Sequence, residues 1–393
     1  MLAAATALAA TTSGAAPAAP RPAADPAGDT VEVAYLGHVF TVPASWRIVD
    51  LAEHPGTCVR FDRHAVYLGT PGDRQNCPAD PAGRTEALLV QPAGTAGSAA
   101  AGVTENRTAG TYRATADRIA VTAVYGRDRA GVQQILRAAG LPVASARTES
   151  VPEVPAARAL PADATSYRGK GFDACTAPAQ ESMDAWKDTS GYGAVGVYIG
   201  GVNRACAQPH LTAGWVAKQY EAGWRFFPLY VGRQPTADGG SCGSGCQAIT
   251  DPAPQGTAAA DDAAQQASAL GLGKGTVIYN DLEHYTPGGE VTAAVLGYLK
   301  SWTERLHELG YRSGAYGSVT SLVTDLVAAA DKIPLPDVIH FARWNDSATT
   351  DDPSIPANLW KDHQRIHQYA GNQTETYGGV KIGIDRNQLD VGS

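Results

Sequence analysis

From Gly169 onward the chain alternates short apolar runs with stretches of helical period. That rhythm restricts it to an α/β architecture built on a largely parallel sheet. The runs at 170–173, 194–200, 226–231, 276–283, 313–316, 338–344, 365–369 and 382–385 read as eight strands. Helices are expected at 182–187, 212–221, 257–270, 291–309 and 321–330. The stretch 291–309 is amphipathic and stops at Gly310, a residue suited to a left-handed cap. Eight strands with helices between them over roughly 225 residues is the size of a TIM barrel. A doubly wound open sheet would carry a Gly-rich phosphate turn after its first strand. Here that strand runs into Asp173-Ala174-Cys175-Thr176-Ala177-Pro178, which is no such turn. The expectation is a (β/α)8 TIM-type barrel over 169–393.

The first part of the chain reads differently. Residues 31–35, 38–42, 58–61, 65–68, 87–90 and 119–125 have strand character, and 128–139 reads as a helix ended by Gly140. Residues 31–145 are therefore expected to form a small α+β domain. It holds no chemical motif, and a spacer, a chaperone or a wall-contact role all fit. Residues 146–168 carry Pro152, Pro155 and Pro161 among small polar residues, a linker composition. Residues 1–30 are nearly all Ala, Thr, Pro and Gly. Positions 1–10 resemble the apolar core of a signal peptide, yet the first cation is Arg21. Either an export signal is truncated here or the stretch is a low-complexity tail.

With 44% hydrophobic and 18% charged residues the chain can bury sizeable cores. A formal charge of -8 argues against a nucleic-acid partner, which calls for a basic stripe. It also argues that any contact with an anionic wall is specific and short-ranged. No run is long and apolar enough to span a bilayer. Six cysteines suit an exported protein with three disulfides. Domain boundaries and chain order pair Cys58 with Cys77, Cys175 with Cys206, and Cys242 with Cys246. Read as a zinc motif, Cys242-Gly243-Ser244-Gly245-Cys246 lacks a second ligand pair nearby. No metal and no cofactor are expected, and the expected location is secreted or wall-associated.

The chemistry concentrates at strand ends. Asp281 and Glu283 close the run Thr276-Val277-Ile278-Tyr279-Asn280-Asp281-Leu282-Glu283, and side chains two apart on a strand point the same way. Charge at the end of a buried strand is costly unless it is paired or used. Polar or aromatic residues recur at the other ends: Asp173, Tyr198, Tyr230, Tyr316, Arg343, Trp344, Gln368, Tyr369 and Asp385. In a barrel such positions converge on one rim. Acids among aromatic rings suit a sugar: rings stack on its faces, and acids transfer protons or stabilise an oxocarbenium-like centre. Other chemistries fit less well. Gly273-Lys274-Gly275 lacks the spacing of a phosphate loop, and neither a zincin nor a serine-hydrolase motif occurs. His340 and His367 lie inside strands and read as hydrogen-bonded core residues.

The ordered set of Gly171-Phe172-Asp173-Ala174-Cys175, Tyr198-Ile199-Gly200-Gly201, Tyr230-Val231-Gly232, Tyr279-Asn280-Asp281-Leu282-Glu283, Gly314-Ala315-Tyr316, Arg343-Trp344-Asn345, Gln368-Tyr369 and Ile384-Asp385-Arg386-Asn387 resembles a known family. This is the glycoside-hydrolase-like barrel domain of secreted actinobacterial proteins, itself similar to the family 25 lysozymes. The resemblance covers 169–393 and none of the first domain. It implies an acidic site of Asp173, Asp281, Glu283 and Asp385. Glu283 would be the general acid, and Asp281 would orient or stabilise the substrate's reacting group. Asp173 and Asp385 would hold sugar hydroxyls or tune Glu283. Tyr198, Tyr230, Tyr279, Tyr316, Arg343, Trp344, Gln368 and Tyr369 are the candidate sugar contacts. The implied activity is hydrolysis of peptidoglycan or a related amino-sugar polymer. Barrels that keep their acids and only bind are known as a class, so a glycan-binding module and an envelope scaffold stay open.

Overall fold

The structure, a computed structural model, describes residues 29–79, 81–93, 102–143, 158–237, 242 and 245–392. The signal-like stretch up to residue 28 and the linker residues 144–157 lie outside the described residues.

Strands β1 (Thr30–Tyr35) and β2 (His38–Pro43) form a hairpin turning at Leu36 and Gly37. A second sheet contains β3 (Arg47–Asp50), β4 (Ala65–Leu68), β5 (Ala87–Pro92), β6 (Gly102–Asn106), β7 (Thr111–Ala116) and β8 (Ile119–Val124), in the order β3-β4-β5-β8-β7-β6. Helix α1 (Arg129–Ala138) is capped by Asp128, which accepts from the Gly131 amide at 2.7 Å. Its Val132, Ile135 and Leu136 pack with Leu88 and Val90 of β5. Ala87 and Leu89, on the other face of β5, pack towards Ala207 in the second half of the chain. Residues 58–61, expected as a strand, form no ladder there. Arg60 makes an isolated bridge with Cys206, because this segment is held by long-range partners.

The second half is a closed barrel of eight strands. These are β9 (Tyr167–Asp173), β10 (Ala194–Gly200), β11 (Arg225–Tyr230), β12 (Val277–Asp281), β13 (Arg312–Ser318), β14 (Val338–Ala342), β15 (Gln364–Tyr377) and β16 (Val380–Val391). It is not the expected (β/α)8 barrel. Neighbours from β9 to β15 run parallel, but β16 is antiparallel to both β15 and β9. Among the described residues, helices follow only the first five barrel strands: α2 (Gln180–Lys187), α3 (Ala213–Glu221), α4 (Pro252–Ala269), α5 (Gly289–Leu309) and α6 (Thr324–Ala328), the last entered through a π-turn at Val319–Val323. The stretch 343–363 between β14 and β15 carries Pro353, Pro356 and many short polar residues, without a helical apolar period. Gly378 and Gly379 then take φ values of 55° and 77°, so the chain turns back as a hairpin where a helical crossover was expected.

Alternation along the strands sorts the side chains. Phe227, Leu229, Val277, Tyr279, Val338, Ile366 and Leu389 fill the interior. Phe172, Val197, Tyr230, Ile278 and Phe341 face outward to helix residues such as Trp186 and Trp302. Gly196 is needed for closeness: a Cβ there would lie 2.5 Å from both Asp173 Cβ and Phe227 Cε2. The stretch before β9, expected as linker, packs on the barrel's amino end. Leu160 N donates to Gly271 O at 2.8 Å, and Val277 N to Thr165 Oγ1 at 3.0 Å.

Disulfides join Cys58 to Cys77, Cys175 to Cys206 and Cys242 to Cys246. The second ties the loops after β9 and β10. No helix among the described residues is long and apolar enough to cross a membrane.

Candidate active site

Asp173 ends β9, and Asp385 stands opposite it in the β9–β16 register. Both are fully buried. Gln368 on β15 spans them: its Nε2 donates to Asp173 Oδ2 at 3.4 Å and to Asp385 Oδ2 at 3.2 Å. Asn387 Nδ2 donates to Asp173 Oδ2 at 2.6 Å, and Tyr198 Oη to Asp173 Oδ1 at 3.0 Å. The Asn372 amide donates to Asp385 Oδ1 at 2.6 Å. The other side of the Gln368 amide is also used: its Oε1 accepts from Tyr316 Oη at 2.9 Å and Trp344 Nε1 at 3.0 Å. Amide and phenol donors thus hold two buried carboxylates in fixed orientation.

Below them lies His340, fully buried, with Nε2 at 2.7 Å from Asn387 Oδ1. Because Asn387 Nδ2 donates to a carboxylate, its Oδ1 must accept, so the His340 ring donates from Nε2. Burial pushes the ring's pKa down to about 3, against a smaller rise from the Asn387 bond. The native state therefore disfavours its protonation. Between pH ~6.5 and ~3 the unfolded chain binds a proton that the native chain does not, so this group makes stability fall as pH falls, by up to about 1.4 kcal/mol per pH unit. His340→Gln removes this dependence. The Tm difference between wild type and the variant is expected to shrink as pH drops from 7 to 4; a constant difference would show that the ring takes up its proton in the fold.

Asp281 is the last residue of β12, buried, and registered against Tyr316 on β13. The strand stops there, so Glu283 sits in the following loop and not on the strand as the sequence pattern suggested. Its placement depends on Gln234, a fully buried residue after β11. Gln234 Oε1 accepts from the Glu283 amide at 2.8 Å, while its Nε2 donates to Asp281 O at 2.8 Å. One side chain thereby fixes the backbone on both sides of Leu282. Farther along, Tyr285 Oη and Thr292 Oγ1 donate to Asp325 Oδ2 at 2.6 and 2.7 Å and anchor the rest of the loop. Asp281 stays buried and Glu283 is half-buried.

The family model of the Rv2525c-like, glycoside hydrolase-like domain matches residues 184–389, more than half of the chain. The chain belongs to this family. A search of curated proteins finds no match. Among solved structures, an uncharacterized B. stearothermophilus protein is 18% identical with a TM-score of 0.40, covering 56% of this chain and 95% of its own. The spore cortex lytic enzyme SleM of Clostridium perfringens is 14% identical with a TM-score of 0.37, covering 56% and 67%. A muramidase from Acremonium alcalophilum is 15% identical with a TM-score of 0.35, covering 57% and 95%.

In this Rv2525c-like barrel, Asp173, Asp385, Tyr198, Tyr316, Gln368 and Trp344 form one hydrogen-bonded group, with Asp281 and Glu283 at the same carboxyl-end rim. Four expected sugar contacts lie elsewhere. Tyr230 faces outward and donates to Asp262 on α4 at 2.7 Å, because it is out of phase with the inward residues of β11. Tyr369 follows inward Gln368 and so faces out; burial raises its pKa, and the nearby Arg386 opposes that rise. Arg343 is also outward and pairs with Asp352 at 2.6 Å. Tyr279 points inward but is fully buried beneath Asp281. The sequence reading did not single out Gln234 or Asn372, and it named Asn387 within a motif without giving it a role. Asn387 carried a signal, two residues beyond Asp385 on one strand face; Gln234 carried none. Cys58, Cys77 and Cys206 bring three sulfurs within 4.8 Å, but all are in disulfides and offer no thiolate to a metal.

Proposed function

We propose that this protein is a glycoside hydrolase acting outside the cytoplasm on peptidoglycan or a related amino-sugar polymer, with Glu283 as general acid. The observation that carries the reading is the pair of buried acids, Asp173 and Asp385, spanned by Gln368 on the rim that also bears Asp281 and Glu283. Burying carboxylates costs free energy, and stability alone gives no reason to gather them at a barrel mouth. Asp173 and Asp385, themselves buried, hold Gln368 and Tyr198 in place and so set the polar groups that the sugar meets at the rim. Trp344, 54% exposed and held at its Nε1 by Gln368, offers a ring face to a pyranose. Glu283 protonates the leaving glycosidic oxygen, and Asp281 stabilises the positive charge that develops at the anomeric carbon. The three disulfides support an oxidising compartment.

The test is release of reducing ends from peptidoglycan, chitin and α-glucans. Turnover on an amino-sugar polymer and not on α-glucan supports the reading. Binding without turnover on any glycan would replace it with a glycan-binding barrel.

A further inference from the structure

The rim is not equally open all round. The N-terminal half of the chain lies on the loops after β9, β10 and β11 and on the rim end of β16. Phe61 N donates to Ala205 O at 2.7 Å, Ala207 N to Val59 O at 3.0 Å, and Gly83 N to Asn203 O at 3.0 Å. Buried Arg84 donates to Arg204 O from Nε at 3.1 Å and Nη2 at 2.8 Å. Cys77 Sγ is 3.4 Å from Thr176 Oγ1, and a Cβ on Gly383 would meet Cys77 O at 2.9 Å. Ala82, only 4% exposed, packs in the same cluster as Tyr198 and Val231, inward residues at the barrel mouth. The first two disulfides meet across this junction, Cys58 Sγ lying 3.9 Å from Cys206 Sγ. On the opposite side of the rim the picture reverses: Trp344, Asn345 and His284 are exposed and Glu283 is half-buried.

We propose that the N-terminal half walls off one end of the glycan cleft, so that the site takes the terminus of a glycan chain and not its interior. This rests on the hydrolase reading above. A polymer bound internally must leave a cleft on both sides of the scissile bond. Here the β9–β11 side is occupied by backbone that is hydrogen-bonded to the barrel loops and braced by two disulfides, and swinging it aside breaks several bonds at once. Each turnover then breaks one C–O bond near the chain end. Water supplies hydroxide to the anomeric carbon, the leaving oxygen takes the Glu283 proton, and the remaining proton of water restores the acid.

The experiment uses the full chain with soluble glycan strands of defined length, either free-ended or carrying a bulky fluorophore at both ends. Small products from the first time points are expected, while the remaining strands shorten slowly. Doubly capped strands are expected to be cut about 100-fold more slowly, because a clash with the wall excludes the bound state. Glu283→Gln should bind free-ended strands and discriminate against capped ones to a similar degree. Mid-length fragments at the outset, or equal rates on capped and free strands, would overturn the proposal and leave the hydrolase reading standing. Equal binding of both strands without cleavage would overturn both, and no binding or cleavage of any strand would remove the hydrolase reading first.

Discussion

On the proposed hydrolase reading, Glu283→Gln is expected to lower glycan hydrolysis by about 100-fold to 10,000-fold, the usual worth of a positioned general acid. Glutamine keeps the size and hydrogen-bonding reach of the side chain but cannot donate a proton of comparable acidity. The backbone clamp by Gln234 involves the Glu283 amide and not its carboxyl group, so the substitution leaves that bond in place. The melting temperature and the affinity for glycan are therefore expected to stay close to wild type. Steady-state kinetics should show the loss in kcat with KM little changed. A variant that retains wild-type kcat removes Glu283 from the acid role. A variant that loses binding as well would mean that the carboxylate holds the sugar and does not protonate it.

Asp262→Ala is expected to destabilise the protein by about 3 kcal/mol, because a buried carboxylate that accepts three hydrogen bonds is lost and its donors are left unpaired. Asp262 lies on α4 and is buried. Its Oδ2 accepts from Tyr230 Oη at 2.7 Å, and its Oδ1 from Asn106 Nδ2 at 2.7 Å and Gln266 Nε2 at 3.1 Å. Asn106 belongs to the N-terminal sheet, so this carboxylate joins the two halves. Arg84 and Arg204 lie close enough to feel its charge. Burial lowers their pKa values to about 9 and about 10, and Asp262 opposes that shift. Alanine leaves the phenol and the two amides short of an acceptor and takes away the nearby negative charge. Urea denaturation of wild type, Asp262→Ala and Tyr230→Phe measures the effect. Tyr230→Phe removes one hydrogen bond and should cost about 1 kcal/mol. A loss below that for Asp262→Ala would show that this carboxylate adds little to the other contacts that hold the halves together.

Much of this architecture is written locally. The apolar runs at 194–200, 226–231 and 338–344 became β10, β11 and β14, because burial on both faces demands continuous apolar residues. The acids at 173, 281 and 385 were legible because a carboxylate beside such a run stands out chemically. Local pattern does not state which strands pair or in which direction. The hydrophobic content of β16 is the same whether it meets its neighbours parallel or antiparallel, and only the Gly378–Gly379 turn brings it back as a hairpin. Nor did composition at the strand ends separate Tyr198, which reaches Asp173, from Tyr230, which reaches α4. That distinction is the phase of each residue on its strand, and phase is set by closure of the whole barrel. Gln368 and Asp173 are 195 residues apart and Asn387 and Asp173 are 214 apart, so their bonds leave no periodic trace. The sequence by itself determined the elements and the acids that chemistry could use. The tertiary structure alone decided strand direction, which aromatics face the acids, the Gln234 clamp and the seat of the N-terminal half on the rim, because each of these depends on residues far apart in the chain meeting in space.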